Sequence, residues 1–105
     1  MPSSIASSVQ ANLGSTELPT SVDWRSKGII SPVKNQGGCG SCWAHTVIEQ
    51  LESYLALATG NMTILSVQEL VSCMPNVLEC GGTGGCFGAT CEMAYQWIQN
   101  FGMVT

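Results

Sequence analysis

The chain has 105 residues, a length that limits it to one domain. Only 10% of these residues are charged and the net charge is −4, so the sequence gives no sign of a nucleic-acid-binding surface. No apolar run approaches the 18 residues of a membrane span. A chain this poor in charge is easier to understand as part of a larger structure than as a free-standing domain.

The first part of the chain carries no regular pattern. Residues 1–17 are rich in serine, alanine and glutamine and are predicted to be a flexible lead-in. Residues 1–12 contain neither the basic segment nor the continuous apolar core of a secretory signal, so no signal peptide is predicted there. Residues 18–33 are predicted to be extended and rich in turns, because Pro19 and Pro32 each bias the preceding residue toward extended geometry.

The segment 34–45 combines a glycine-rich loop with the start of a helix. Three glycines lie between residues 37 and 40, and a helical pattern follows them. Ser41 is predicted to be the N-cap, with its hydroxyl accepting from the first turn. The helix is predicted to run to Ala58, before a Thr59-Gly60-Asn61 stop. Its predicted apolar face recurs at steps of three and four: Trp43, Val47, Ile48, Leu51, Tyr54, Leu55 and Ala58.

This spacing places Cys42 at the first position of the helix. The thiolate is the nucleophilic form of cysteine, and the positive end of a helix dipole favours a negative charge. A plain core residue would not need the glycine-rich loop that precedes it. Cys42 is therefore the candidate nucleophile.

Two further helices are predicted. Ser66 and Glu69 form a capping box, and Leu65 and Leu70 occupy the positions of a hydrophobic staple, so a short helix should follow Ser66 and end near Cys73. The third helix is predicted from Thr90 to a stop at Gly102. Its predicted apolar face comprises Met93, Ala94, Trp97, Ile98 and Phe101.

Residues 80–91 form a second glycine-rich loop, which contains three of the six cysteines. It lacks the Gly-Lys-Ser/Thr ending of a phosphate-binding loop. Two other sites are weighed against a cysteine nucleophile: a thioredoxin-like C-x-x-C at Cys39 and Cys42, and a zinc site made by these two with Cys80 and Cys86. Six cysteines in so short a chain indicate an oxidising compartment, and spacing alone leaves their pairing open.

Several of these segments occur together, and in this order, in one known family. They are Leu18-Pro19, Val22-Asp23-Trp24-Arg25, Pro32 to Gly37, Cys39 to Ala44, Leu65-Ser66, Gln68-Glu69-Leu70, Cys73 and the loop at 80–88. Together they resemble the papain-like cysteine proteases, the papain and cathepsin family, over residues 18–105. The resemblance implies a mainly α fold: the left, helical half of the papain-like α+β domain, built on the long helix that starts at Cys42.

The resemblance also assigns roles to individual residues. Cys42 would be the nucleophile, and Gln36 would donate to the oxyanion together with the backbone N–H of Cys42. The substrate cleft would be lined by Gly40, Gly88, Ala89, Thr90 and Cys91.

The same resemblance implies part of the disulfide pattern. Cys39 would pair with Cys86, and the partner of Cys73 would lie beyond residue 105. Cys80 would belong to a small insertion. The resemblance assigns no role to Cys80 or Cys91, and two alternatives stay open: they pair with each other, or one of them pairs with Cys73.

The implied activity is hydrolysis of peptide bonds by a cysteine-type endopeptidase through an acyl-enzyme, without metal or cofactor. The implied partners are a peptide or protein substrate and a cystatin-like or propeptide inhibitor, with no nucleic acid and no membrane. The implied location is lysosomal, vacuolar or secreted. Residues 1–17 would be the remnant of a propeptide, as in a zymogen. Whether the peptidase is an endo- or an exopeptidase stays open.

The family's catalytic histidine and asparagine come from the second, mostly β half of the domain, downstream of residue 105. The only histidine here is His45, one helical turn after Cys42, and it is interpreted as a packing residue, with a role as general base as the alternative. A second function is therefore carried forward. The chain could be a truncated, non-catalytic fragment or a pseudoenzyme that offers only a binding half-cleft.

Overall fold

The computed structural model describes residues 17–105, and the predicted lead-in therefore lies outside the described residues except for Glu17. A 3₁₀ helix at Trp24–Lys27 is followed by three α-helices: α1 at Cys42–Thr59, α2 at Val67–Cys73 and α3 at Cys91–Phe101. Each α-helix begins and ends within a residue or two of its predicted bounds, so the three predicted helices are confirmed. Within the described range, the only β contact is an isolated parallel bridge between Gly40 and Phe87.

Helix α1 is the centre of the fold, and α2 and α3 both pack against it. Their buried side chains form one core cluster: Trp43, Ala44, Val47, Ile48, Leu70, Met74 and Ala94. The buried face of α1 differs from the predicted one, because Tyr54 and Ala58 are exposed while Ala44, Glu52 and Ala56 are buried. The last three residues of α1, 57–59, are exposed, and the core cluster therefore leaves the C-terminal turn of the helix facing solvent.

A buried ion pair links α1 to the segment that precedes it. The carboxylate of Glu52 is fully buried, and Lys34 Nζ lies 2.8 Å from its Oε1 atom. Lys34 Nζ also donates to Ser31 Oγ at 3.1 Å. Because a buried carboxylate requires a partner charge, this pair holds Lys34, and with it the start of the glycine-rich loop, against the middle of α1.

Helix α2 shows half of the predicted capping box. Ser66 Oγ accepts from the backbone N–H of Glu69 at 3.1 Å, as expected. The reciprocal bond is absent, because the backbone N–H of Ser66 donates to Val104 O and the Glu69 carboxylate accepts from the N–H of Val104. The segment after α3 thus replaces the second half of the box. Glycines end α1 and α3, and the N–H groups of Gly60 and Gly102 donate to Ala56 O and Ile98 O.

None of the helices in residues 17–105 is long and apolar enough to cross a lipid bilayer.

Candidate active site

Cys42 is the first residue of α1, and its thiol is free and exposed. The carbonyl of the preceding Ser41 accepts from the N–H groups of Ala44 and His45 at 3.0 and 3.1 Å, and these bonds form the first turn. The N–H of Cys42 is among the first-turn donors that have no acceptor within a helix. An exposed thiol therefore lies beside an available backbone donor.

The prediction that the Ser41 hydroxyl accepts a cap hydrogen bond is wrong. Ser41 is buried, with φ −107° and ψ 21°, and its hydroxyl makes no cap hydrogen bond. Its N–H instead donates to Cys39 O at 2.8 Å, and its Oγ lies 3.4 Å from His45 Nδ1. The tight turn after Cys39 sets this backbone conformation, which differs from the extended one of an ordinary N-cap.

The loop before α1 is joined to the loop before α3 by covalent and backbone contacts. Cys39 and Cys86 form a disulfide, the pairing that the resemblance implied. The N–H of Gly40 donates to Cys86 O at 2.8 Å, next to the parallel bridge between Gly40 and Phe87. A Cβ atom on Gly40 would lie 2.5 Å from Cys86 O, so only glycine allows this approach. The two loops therefore form one wall beside Cys42.

Asn76 organises the second glycine-rich loop, a role that the sequence analysis missed. Its side chain is buried, donates to the carbonyls of Cys80 and Gly82 at 3.0 and 2.9 Å, and accepts from the N–H of Cys80 at 3.1 Å. Asparagine is a residue that folds nearby backbone in this way, and its position after Pro75 in a loop of glycines was the available signal.

The predicted cleft residues lie at the end of this loop. Gly88 has φ +99°, which favours glycine, and its carbonyl accepts from the N–H of Gly84 at 2.7 Å. Ala89, Thr90 and Cys91 are half-buried. Ala89 and Cys91 pack against the core cluster, and Cys91 Sγ lies 3.9 Å from Trp43 O. The loop and the first turn of α1 thus share contacts through the residue that follows Cys42.

Gln36 lies on the exposed turn that leads into the site. Its side-chain amide donates to Cys39 O at 2.8 Å. The amide group has two N–H donors, and the second has no partner within residues 17–105. The neighbouring Asn35 side chain accepts from the N–H of Gly37 at 2.8 Å and shapes the turn. Gln36 is therefore held by one donor while the other stays available.

His45 is half-buried, and its Nδ1 atom lies 3.0 Å from Ser41 O. A carbonyl oxygen accepts hydrogen bonds only, so Nδ1 carries the proton in this contact. That nitrogen is therefore bound to the backbone of its own helix.

An open groove of about 380 Å³ lies on one side of the disulfide. Its lining comes from the Gln36 loop, the first turn of α1, the helix α2 and the disulfide: Asn35, Gln36, Cys39, Ser41, His45, Val67, Gln68, Val71 and Cys86. The sequence analysis assigned no site role to α2, so it missed the three residues that α2 contributes.

The remaining cysteines decide between the other site hypotheses. Cys73, Cys80 and Cys91 are free in the described structure, so the predicted pairings of Cys80 with Cys91 or Cys73 are not formed. Because Cys39 is bonded to Cys86, it forms neither a redox pair with Cys42 nor a zinc thiolate. Within residues 17–105, no cluster of three metal-ligating side chains is present.

Comparison with known proteins agrees with this geometry. Residues 18–105 match the model of the papain family cysteine proteases. The oryzain beta chain of Oryza sativa subsp. japonica is 51% identical over 85 residues, which cover 81% of this chain and 17% of the oryzain chain. Mouse procathepsin L is 45% identical over 86 residues, which cover 82% of this chain and 25% of the mouse protein.

A solved structure shows the same relationship. The crystal structure of a Carica candamarcensis cysteine protease in complex with E-64 superposes with a TM-score of 0.69 at 42% identity. The match covers 82% of this chain and 38% of that protein. The chain spans roughly a sixth to a quarter of the length of the curated relatives that it matches.

Proposed function

This chain belongs to the papain family of cysteine proteases, and from the geometry around Cys42 we propose that it supplies the nucleophile and the oxyanion donors for hydrolysis of peptide bonds. One observation carries the proposal: the exposed, free thiol of Cys42 stands at the N-terminus of a long helix, between the Gln36 turn and the wall built on the Cys39–Cys86 disulfide.

The proposed chemistry has two steps. The Cys42 thiolate attacks the carbonyl carbon of the scissile bond, and the resulting oxyanion accepts from the N–H of Cys42 and from the free amide N–H of Gln36. The thiol proton passes to an imidazole and then to the leaving amine as the carbon–nitrogen bond breaks. Water then hydrolyses the thioester, which returns its proton to Cys42 and releases the carboxylic acid.

The imidazole in this scheme comes from outside the described residues. In the family it belongs to the part of the domain that follows the stretch matched here. His45 does not take this role in the proposal, because within residues 17–105 its ring makes no hydrogen bond to the Cys42 thiol and its Nδ1 contacts Ser41 O.

The remaining assignments follow from family membership. We propose that the peptidase domain begins at Leu18 and that residues 1–17 are a propeptide remnant. Gly40, Gly88, Ala89, Thr90 and Cys91 would line the cleft for a peptide or protein substrate. A propeptide or a cystatin-like protein would inhibit it, in a lysosomal, vacuolar or secreted location that suits a structural disulfide.

A second function has a specific observation in its favour. The one histidine of the chain contacts Ser41 through Nδ1, and within residues 17–105 no imidazole is hydrogen-bonded to the Cys42 thiol. A chain of this kind would hold a peptide in a half-cleft without cleaving it.

The test compares Cys42 with the three other free cysteines, Cys73, Cys80 and Cys91, which are internal controls. The 105-residue chain is treated with E-64 and, separately, with iodoacetamide, and the rate of modification at each cysteine is followed by peptide mass mapping. We expect E-64 to modify Cys42 at least tenfold faster than Cys73, which is also exposed, because Cys42 lies at a helix N-terminus beside the cleft wall whereas Cys73 is the last residue of α2. Equal rates at Cys42 and Cys73 would contradict the proposal.

A hydrolysis assay on the same samples separates the two functions. We expect the 105-residue chain alone to bind E-64 at Cys42 without turning over a fluorogenic peptide. Turnover that disappears in His45→Ala would show that His45 is the base after all. The Cys42→Ser variant is the blank for both assays.

A further inference from the structure

The turn after α1 contains the tripeptide Asn61-Met62-Thr63. An asparagine followed two residues later by serine or threonine, with any residue except proline between them, is the acceptor sequence for N-linked oligosaccharides. Glycine or leucine stands at that distance from each of the other asparagines: Asn12, Asn35, Asn76 and Asn100. The 105-residue sequence therefore contains a single acceptor sequence, and it lies between two helices.

The structure exposes Asn61 and holds its backbone without using its side chain. The N–H of Asn61 donates to Thr59 Oγ1 at 3.2 Å, and that hydroxyl donates to Leu55 O at 2.8 Å. The preceding Gly60 ends α1 in the left-handed region, with φ +79°. Within residues 17–105, the side-chain amide of Asn61 has no hydrogen-bond partner. Its nitrogen is therefore free to carry a substituent that projects into solvent.

The other asparagines of the described range lack this combination. The Asn35 side chain accepts a hydrogen bond within its own turn, and the Asn76 side chain is buried in the second glycine-rich loop. Asn100 is exposed on α3, but Gly102 takes the place of the serine or threonine. Exposure, a free amide and the acceptor sequence thus coincide at Asn61.

Helix α1 separates Asn61 from the proposed nucleophile. Cys42 is its first residue, and Asn61 lies two residues beyond its last, Thr59. The 18 residues of the helix, at about 1.5 Å each, span roughly 27 Å. An oligosaccharide on Asn61 would therefore begin at the far end of α1 from the thiol and leave the wall beside Cys42 uncovered.

We propose that Asn61 is an N-glycosylation site and that its oligosaccharide shields the turn after α1. The side-chain nitrogen Nδ2 attacks the anomeric carbon of an oligosaccharide carried on a lipid pyrophosphate. The new carbon–nitrogen bond replaces the bond from that carbon to the pyrophosphate oxygen, so the lipid pyrophosphate leaves and the amide loses one proton. The inference relies on the proposed lysosomal, vacuolar or secreted location, which the Cys39–Cys86 disulfide supports, and it is independent of catalysis at Cys42.

The first test counts occupancy at Asn61. The 105-residue chain is expressed behind a cleavable signal peptide in a eukaryotic cell line. Only molecules that have lost the signal peptide are analysed, since these have entered the lumen that holds the oligosaccharide donor. Enzymatic release of the glycan in heavy-oxygen water, followed by peptide mass mapping, marks each glycosylated asparagine as labelled aspartate. We expect most of these molecules to carry the label at Asn61, and none to carry it at Asn100.

Variants assign the modification to the acceptor sequence. Thr63→Ala keeps Asn61 but should abolish its occupancy, whereas Thr63→Ser preserves the acceptor sequence and should keep it. Asn61→Gln removes the acceptor nitrogen, and the backbone contact with Thr59 can remain. An unoccupied Asn61, or occupancy that survives in Thr63→Ala, would overturn the inference. Neither result would affect the proposed function, because the reaction of Cys42 with E-64 is measured separately.

The second test measures shielding and placement. The glycosylated chain, the enzymatically deglycosylated chain and Asn61→Gln are each treated with a protease of broad specificity, and cleavage between residues 57 and 64 is followed by mass mapping. Because an N-linked glycan is bulky, we expect this cleavage to be several-fold faster in both chains that lack it. The E-64 rate at Cys42 should be the same in all three. Equal cleavage rates would overturn the shielding role, and faster reaction of Cys42 after deglycosylation would overturn the placement of the glycan away from the cleft.

Discussion

The N-termini of α1 and α2 both follow a serine, yet they are held in different ways. At α2, Ser66 accepts from the N–H of Glu69 and the chain end at Val104 contacts both residues. At α1, Ser41 makes no side-chain cap bond, and the helix start is held by the disulfide and by the bridge between Gly40 and Phe87.

This difference separates a structural helix start from a reactive one. A serine cap accepts from the N–H of the second or third helical residue, as Ser66 does from Glu69, and it leaves the N–H of the first residue unpaired. At α1 the first turn is instead fixed against the loop at Cys86, by the disulfide and by the Gly40 hydrogen bond. The unpaired N–H of Cys42 is therefore held at a fixed place relative to that loop, which a local cap would not provide.

Removal of the disulfide should have the largest effect on stability, because it releases the start of α1 from the loop at Cys86. In Cys39→Ser/Cys86→Ser, we expect the free energy of unfolding to fall by about 2–4 kcal/mol, because the bond closes a loop of 47 residues in sequence separation. Urea denaturation measures the loss. Cys73→Ser, which removes an exposed free thiol, should change the free energy by less than about 0.5 kcal/mol. If the double variant lost as little free energy of unfolding as Cys73→Ser, the disulfide would not be what holds the start of α1.

A methyl group at position 40 should weaken the contact between the two loops and lower stability by less than the loss of the disulfide. Gly40→Ala places a Cβ atom 2.5 Å from Cys86 O, so the two loops must separate, at a cost of about 1–3 kcal/mol. We also expect slower reaction of Cys42 with E-64. Gly38→Ala is the control on the same loop, since its Cβ atom would have no neighbour within 4 Å. Similar stability losses in the two variants would show that the contact with Cys86 is not the reason for glycine at position 40.

The two serines themselves offer a direct comparison. Ser66→Ala removes the cap bond of α2 and should cost about 1 kcal/mol. Ser41→Ala removes no cap bond, so thermal denaturation should show less than half of that loss. An equal or larger loss at Ser41 would mean that its contact with His45 carries the stability that a cap would otherwise supply.

The 3₁₀ helix begins in a third way, with a charged N-cap, and a substitution there should have the smallest effect on stability of those described. Asp23 is its N-cap, and the hydrogen bonds from the Arg25 side chain and backbone lower the pKa of Asp23 below its usual value. The carboxylate therefore stabilises this turn above the pKa of the unfolded state, and the contribution is lost as the pH falls through the lower folded pKa. In Arg25→Ala, NMR titration should show that the pKa of Asp23 rises toward its usual value. An unchanged pKa would rule out Arg25 as its cause.

The three helices could be predicted because their signals are local. The spacing of apolar residues and the glycine stops at 60 and 102 bounded α1 and α3 to within a residue or two, and the cap at Ser66 gave the start of α2. The family resemblance added the pairing of Cys39 with Cys86, which spacing had left open.

The details that failed depend on residues far apart in the chain. Glu69 was expected to bond to Ser66, but its carboxylate contacts Val104, 35 residues later. The Ser41 hydroxyl was expected to cap α1, but its backbone is set by the turn after Cys39, which is itself tied to Cys86, 47 residues away in sequence. The burial of Glu52 instead of Tyr54 follows from the ion pair with Lys34, a charge 18 residues away. No local pattern contains these partners.

The position of the disulfide has a consequence for proteolysis. The exposed turn at Gly60 and Asn61 lies between Cys39 and Cys86, and exposed turns are preferred sites of nicking. A cut there would separate α1 from α2 and α3 in sequence, while the disulfide and the shared core would keep both pieces together. The protein would then persist as a two-chain form, visible as two bands only after reduction, with Cys42 on one chain and Phe87 on the other.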